Sequence, residues 1–300
     1  MNILHVHDVA GVACDLARYQ RLLNHDANLL AMRRYSMCDP DFELRLDGFI
    51  GINLETVARL KLFRDADIIH IHSGIRLSQF SFSLIKLVCR AKWILHFHGS
   101  ETRLGYGMHH QGVGDQEIVS TPDLMAWHPN AEWLPNPIPE IELAINDPRT
   151  FSDRPLTVGH FPSNRDIKGT DRILKALQPL ISQGRLSLIV VENKPKADVV
   201  AALRKCDVVL DQLNDLNIFS KVALEAMALG VPTISSYDPS IFPSDCPVLQ
   251  VKDESDVQQL LRGMIDTGID DKLRNASRRY VERYHTPISV VRKLDEFYTS

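Results

Sequence analysis

Three features of the sequence predict an α/β protein built of two doubly wound parallel sheets. Short apolar runs rich in β-branched residues alternate with longer amphipathic stretches, the pattern of βαβ units. The pattern occurs twice, on either side of the segment LPNPIPE, where Pro135, Pro137 and Pro139 fix φ and remove amide donors. The residues just after each apolar run are polar: HVHDVAG, HIHSG, HFHGSETR and STPD in the first half, HFPSNRDIKGT, VENKP, DQLND and SSYDPS in the second. Open α/β sheets bind ligands outside the carboxyl ends of their strands, so a cleft between two facing sheets would collect these residues.

In the first half, runs such as NILHV and DIIHIH predict strands over 2–7, 27–32, 67–72, 93–98 and 117–120. Amphipathic spacing between them predicts helices over 12–24, 53–64 and 78–90. In the second half, strands are expected at 156–161, 186–191, 207–211, 232–236 and 247–250, with helices at 170–182, 196–205 and 220–229. Three more helices follow at 253–267, 270–283 and 287–298, with Pro287 separating the last two. The domains expected are therefore 1–137, 138–286 and a C-terminal helical segment 287–300 that packs back on the first domain. Neither strand nor helix should run through LPNPIPE, and there is no fixed-period repeat or low-complexity segment.

Composition excludes several classes. The 300 residues are 44% hydrophobic and 24% charged, which is ordinary for a globular chain. Lys and Arg total 34 against 38 Asp and Glu, divided as 14 against 18 in residues 1–150 and 20 against 20 in the rest. Neither half has the basic excess of a nucleic-acid binder, so a phosphate site must be a local cluster. No apolar run approaches the roughly 18 residues of a transmembrane helix, and the start MNILHVHDVAG does not read as a secretory signal. Five scattered cysteines without a CxxC predict reduced, mostly packed thiols in a cytoplasmic protein.

The segment NIFSKVALEAMALGVPTI carries the clearest local signal. Ser220 is an N-cap candidate, Lys221 to Leu229 are good helix formers, Gly230 suits the closing position and Pro232 prevents continuation. The amino end of this helix would offer free N–H groups to a diphosphate, with Ser220 and Lys221 beside it. Glu225 sits one turn in, amid apolar neighbours; it is either a functional carboxylate or a glutamate on the solvent face.

ALEAMALGVP resembles the signature of the retaining GT-B glycosyltransferases of the sucrose-synthase-like superfamily. SNRDIKGTDRILKAL is similar to that family's Lys-Gly motif, HFHGSETR to its N-domain strand ending in His-Gly, HDVAGVACDLARYQRLL to its glycine-bearing first loop, and STPDLMAWHPNAEWLPNPI to its last N-domain strand and linker. The resemblance implies two Rossmann-like domains, a nucleotide-sugar donor held mainly by the second and a saccharide or lipid-linked acceptor mainly by the first. It implies retention, no metal and no further cofactor. Glu225 matches the carboxylate that accepts from the ribose hydroxyls, Lys168 the lysine that neutralises the donor diphosphate, and Arg165 its basic partner. His98 matches the histidine near the transferred sugar, and Gly11 the loop glycine that lets backbone approach donor or acceptor. The family's first carboxylate, eight residues before Glu225, is replaced by Asn217, which would then contact the transferred sugar or else only turn the loop.

Two other classes compete. His5 with His7, His70 with His72 and His96 with His98 form three HxH pairs at strand ends, which with Asp8 and Glu101 suggest a binuclear metallohydrolase. The substitution at Asn217 suggests a GT-B-like protein that binds without catalysing. Asp65 and Asp67 form a DxD, but before a strand instead of after it. RLSQFSFSLIKLVCRAKW, with Phe80, Phe82, Leu84 and Ile85 among Arg76, Lys86 and Arg90, is a candidate peripheral membrane contact at the inner face, or else a helix packed on the sheet. Trp93, Trp127 and Trp133 are expected in core or linker packing.

Overall fold

The computed structural model describes residues 1–31, 37–43, 61–72, 86–87, 89–103, 114–145 and 154–300. The chain divides into two compact units, residues 1–137 with 287–300, and residues 138–286.

The first unit holds a seven-stranded sheet of β1 (Asn2–Val6), β2 (Asp26–Ala31), β3 (Phe42–Glu43), β4 (Ile68–His72), β5 (Lys92–Phe97), β6 (Gln116–Val119) and β7 (Glu132–Trp133). Its order is β3-β2-β1-β4-β5-β6-β7, and every pairing is parallel. Side chains alternate between faces. Ile3, Ile68 and Ile94 pack with Val12, Leu16 and Tyr19 of α1 (Val12–Leu22) and with Val290, Val291, Leu294 and Tyr298 of the C-terminal helix Pro287–Thr299. The opposite face carries Leu4, Ile69, Trp93 and Leu95. A short helix α2 (Ser100–Arg103) follows β5.

The second unit holds five parallel strands, β8 (Leu156–His160), β9 (Leu186–Val190), β10 (Val208–Leu210), β11 (Thr233–Ser235) and β12 (Leu249–Gln250), in the order β12-β11-β10-β8-β9. Its helices are α3 (Arg165–Lys168), α4 (Thr170–Ser182), α5 (Lys196–Leu203), α6 (Lys221–Ala228), α7 (Glu254–Thr267) and α8 (Asp271–Tyr284). Leu156, Val158, Val208 and Leu210 pack against Ile173, Leu177 and Leu180 of α4 and Val257 and Leu261 of α7. Phe161 and Val209 meet Leu203 and Ala226 on the other face. Each such fully buried side chain contributes roughly 1.5 to 3 kcal/mol.

Several expectations need correction. No strand or helix runs through LPNPIPE, but a 3₁₀ turn over Pro139–Glu142 starts at its end; a proline is tolerated at a first helical position because that N–H has no helical partner. β3 and β7 were not anticipated, since two residues show no period. The helix expected at 53–64 falls partly, and that at 78–90 mostly, outside the described residues; 61–65 and 86–87 are helical. Most of the basic amphipathic segment, from Arg76 to Ile85, also lies outside them. Trp93 is buried and Trp133 partly so, but Trp127 is 42% exposed. The cysteines are not all thiols: Cys14 and Cys38 form a disulfide, while Cys89 and Cys206 are buried thiols and Cys246 is partly buried. The pair was hidden because 24 residues separate its members. Asp8 brings them together: its carboxylate accepts from the amides of Ala13 and Cys14 at 3.1 and 3.4 Å and from Met37 at 3.0 Å. Among the described residues, no helix is long and apolar enough to cross a membrane.

Candidate functional site

Ligands of doubly wound sheets gather where the strand order reverses. In the second sheet this lies between β8 and β10. Asp211, directly after β10, is buried, and its carboxylate accepts from four donors: Lys168 Nζ at 3.0 Å, the Ser220 amide at 2.8 Å, the Ser220 hydroxyl, and Ser235 Oγ at 3.4 Å. Lys168 Nζ also donates to Gln212 Oε1 at 3.0 Å. An ammonium 5% exposed needs such partners, because burying an unpaired charge is costly.

The Lys-Gly motif explains how Lys168 arrives there. Gly169 has φ +67°, and a Cβ at this position would lie 2.1 Å from the Leu213 carbonyl oxygen. Only glycine allows α3 to end against the 211–213 segment, where the Leu213 amide donates to the Lys168 carbonyl at 3.1 Å. His160, at the end of β8, ties the same place together through the Leu210 carbonyl and the Thr170 hydroxyl, both at 2.9 Å, and burial lowers its pKa.

Ser220 occupies the N-cap position of α6, but its hydroxyl donates to Asp211 and makes no cap bond. The Ala223 amide donates to the Ser220 carbonyl, which opens the first turn of α6. Arg165 is held apart from this cluster: it is paired with Glu192 at 2.8 and 3.0 Å, and its side chain is half exposed.

Glu225 does not lie on a solvent face. It is 5% exposed and pairs with Lys196, whose ammonium also lies 3.0 Å from Glu140 Oε1. Burial raises the Glu225 pKa, with Lys196 acting against it. Glu140 Oε2 is buried without a hydrogen-bond partner among the described residues. Asn217 is exposed, adopts φ +58°, and its carbonyl accepts from the Asp238 amide at 2.9 Å, the geometry of a residue turning the loop before α6.

In the first sheet the order reverses between β1 and β4. The loop after β1 contains three left-handed residues, His7 (φ +72°), Ala10 (+53°) and Gly11 (+76°), and non-glycine residues in that region store strain. Gly11 closes the loop at the N-cap of α1, where the Asp8 carboxylate already holds first-turn amides. The donors that a phosphate would use there are engaged by an internal anion.

Beside this loop His5, His70, His72, His96 and His98 gather; His5, His70, His72 and His96 are fully buried and His98 half-buried. His5 pairs with His72 at 3.0 Å, His72 with His98 at 2.9 Å, and His70 with His96 at 3.2 Å. Burial pushes His5 down to about 4 and His70, His72 and His96 well below the usual range, so these rings are neutral at pH 7. Two triplets, His5-His70-His72 and His72-His96-His98, bring one ring nitrogen each within 4.8 Å of one another. Three HxH pairs did not survive as such: His7 lies past the end of β1 in a left-handed turn, outside both triplets. The Asp65-Asp67 pair sits at the amino ends of β1 and β4, where Asp67 accepts from the Asn2 amide at 2.7 Å.

Asp211, Gln212, Lys196 and Glu140 were not singled out from the sequence. Asp211 lies in DQLND at a predicted strand end, the one available signal; Glu140 and Lys196 sit in separate segments that only the fold joins.

No protein-family model matches the chain, and no curated protein sequence matches it. Solved structures do. The Anabaena protein HepE in complex with UDP and glucose aligns over 100% of both chains with a TM-score of 0.70 at 13% identity. An alpha-glucosyltransferase in complex with UDP and a 13-mer DNA covers 99% of each chain with a TM-score of 0.70 at 10% identity. A glycosyltransferase from Rickettsia africae covers 99% of this chain and 97% of its own, with a TM-score of 0.64 at 13% identity. The chain therefore has the GT-B glycosyltransferase fold, with two Rossmann-like, doubly wound α/β units carried on one polypeptide.

Proposed function

We propose that this protein moves a hexose-type sugar from a nucleoside-diphosphate sugar to a hydroxyl acceptor with retention of configuration, in glycan or glycolipid assembly. The observation that carries the reading is the arrangement around α6: a buried Glu225 one turn in, and Lys168, Asp211 and Ser220 at the amino end, in a chain of the GT-B fold. HepE and the alpha-glucosyltransferase were both solved with UDP, which makes UDP the first nucleotide to test.

In the reaction, the bond between sugar C1 and the diphosphate oxygen breaks as the acceptor oxygen bonds to C1 from the same face, and the acceptor proton passes to the departing phosphate oxygen. Lys168 and the amino end of α6 at Ser220 and Lys221 stabilise the charge that develops on the diphosphate, joined by Arg165 once it leaves Glu192, and this chemistry calls for no metal or further cofactor. Glu225 accepts from the ribose diol once Lys196 shifts its contact. His98 and Gly11 serve the sugar and acceptor side, and Asn217 stands where a sugar-contacting carboxylate would be. The DNA in the alpha-glucosyltransferase complex belongs to that protein; a net charge of −4 here favours a saccharide or lipid-linked acceptor over nucleic acid. Work at the inner face of a membrane fits a lipid-linked acceptor, and in a reducing cytoplasm Cys14 and Cys38 would be a dithiol.

A thermal-shift series against UDP, GDP, ADP and CMP, without divalent metal, tests the reading. A ligand at 100 times its Kd adds about 2.7 kcal/mol. Glu225→Ala should weaken nucleotide binding by roughly 1.5 to 3 kcal/mol for each charge-assisted hydrogen bond lost. No response to any nucleotide, or a variant that binds as the parent does, would remove the donor assignment.

A further inference from the structure

The five clustered histidines belong to a hydrogen-bonded chain of seven side chains that begins and ends in neighbouring rings. From one end, His98 Nε2 meets His72 Nδ1 at 2.9 Å, His72 Nε2 meets His5 Nδ1 at 3.0 Å, and His5 Nε2 meets Gln20 Oε1 at 2.7 Å. Gln20 Nε2 then donates to the Tyr298 hydroxyl at 3.2 Å, Tyr298 meets His70 Nδ1 at 2.7 Å, and His70 Nε2 meets His96 Nδ1 at 3.2 Å. His96 Nε2 is buried with no partner among the described residues, and its ring lies 4.2 Å from that of His98.

A neutral imidazole has one N–H and one lone pair, so each ring passes on the direction of the bond it receives. The amide in the middle sets that direction, because its oxygen only accepts and its nitrogen only donates. His5 must therefore donate from Nε2, which makes His5 Nδ1 an acceptor, and the same step repeats through His72 to His98. On the other side Tyr298 accepts from Gln20 and donates to His70 Nδ1, which leaves His70 and His96 protonated at Nε2.

We infer that Gln20 and Tyr298 are positioning residues that hold His5, His72, His70 and His96 in the Nε2–H form and make His98 the donor, through Nε2–H, to His72. The tautomers follow from this geometry and stand apart from the glycosyl-transfer reading. The chain is a lock and not a proton conduit, since an amide at its centre neither takes up nor releases a proton. It also occupies the lone pairs that a metal would need: His5 Nδ1, His72 Nδ1, His70 Nδ1 and His96 Nδ1 each accept a hydrogen bond.

The test is a long-range ¹H–¹⁵N correlation spectrum of the full chain labelled at histidine, at pH 7, with rings assigned by single substitutions. The four buried rings should be protonated at Nε2 and bare at Nδ1, and His98 should carry a proton at Nε2. Gln20→Glu places an acceptor on both sides, so His70 and His96 should switch to Nδ1–H while His5, His72 and His98 stay as they are. Should that variant fail to fold, Tyr298→Phe should release only His70 and His96 from the single form. An Nδ1–H or doubly protonated ring among the four buried histidines of the parent protein, or a Tyr298→Phe effect on all five rings, would overturn the inference. So would one equivalent of zinc that shifts His72, His96 and His98 to metal-bound positions.

Discussion

The two units bury polar side chains at their strand ends by opposite means. In the second unit charges are buried in pairs, Lys168 with Asp211 and Lys196 with Glu140 and Glu225. In the first unit the buried groups around His5 are neutral rings joined through an amide and a phenol, and the Asp8 carboxylate near them is held by backbone amides. A buried ion pair is sensitive to the loss of either partner, because the survivor is left charged in a poor solvent. A neutral imidazole chain is sensitive to protons instead. Each unit should therefore fail in its own way.

The largest effect should come from breaking a charge pair. Asp211→Ala leaves the Lys168 ammonium buried and should cost about 3 to 5 kcal/mol in urea unfolding followed by far-UV circular dichroism. Replacing both partners, Asp211→Ala with Lys168→Met, should recover much of that loss; a double variant as unstable as the single would show that the pair is not what Asp211 secures.

Acid should act on the first unit. His5 has a folded pKa of about 4 against an ordinary value of 6.5, so between these values the unfolded chain binds the proton and the folded one does not. Stability is whole above pH 6.5 and drains as pH falls toward 4, by about 3 kcal/mol for His5 alone at about 1.4 kcal/mol per unit. Asp8 offsets part of the shift, and His70, His72 and His96 add to the loss. Trp93, Trp127 and Trp133 all lie in residues 1–137, so tryptophan fluorescence reports this unit; a denaturation midpoint unchanged between pH 7 and 4.5 would contradict neutral buried rings.

Cys38→Ser should cost about 3 kcal/mol, from a loop of 24 residues no longer closed in the unfolded state. The comparison to make is with the parent protein under reducing conditions, which should lose the same amount. The smallest effect belongs to Asn217→Ala, about 1 kcal/mol for a left-handed residue that loses its tolerance of φ +58°. Normal transfer per folded molecule would mark Asn217 as a turn residue, whereas lost transfer at unchanged stability would restore it to the sugar.

Much of the architecture was legible from local pattern alone. The helix expected at 170–182 is found there, and the strands at 156–161 and 186–191 are each one residue shorter than expected. These elements have long apolar periods and clear breakers, which act on a chain regardless of what lies across the core. The Lys-Gly motif and the stretch around Glu225 were legible for the same reason: a glycine at φ +67° and a carboxylate among apolar residues are local anomalies. Partners were not legible. Glu225 was equally a surface residue until burial against Lys196 decided it, and Lys168 gave no sign of Asp211, 43 residues away. The imidazole chain needs β1, β4 and β5 in parallel register and two helices 278 residues apart in sequence, one supplying Gln20 and the other Tyr298. Periodicity determines which face a side chain takes, but a hydrogen bond depends on distances of a few tenths of an ångström between segments, and only the packed tertiary structure sets those.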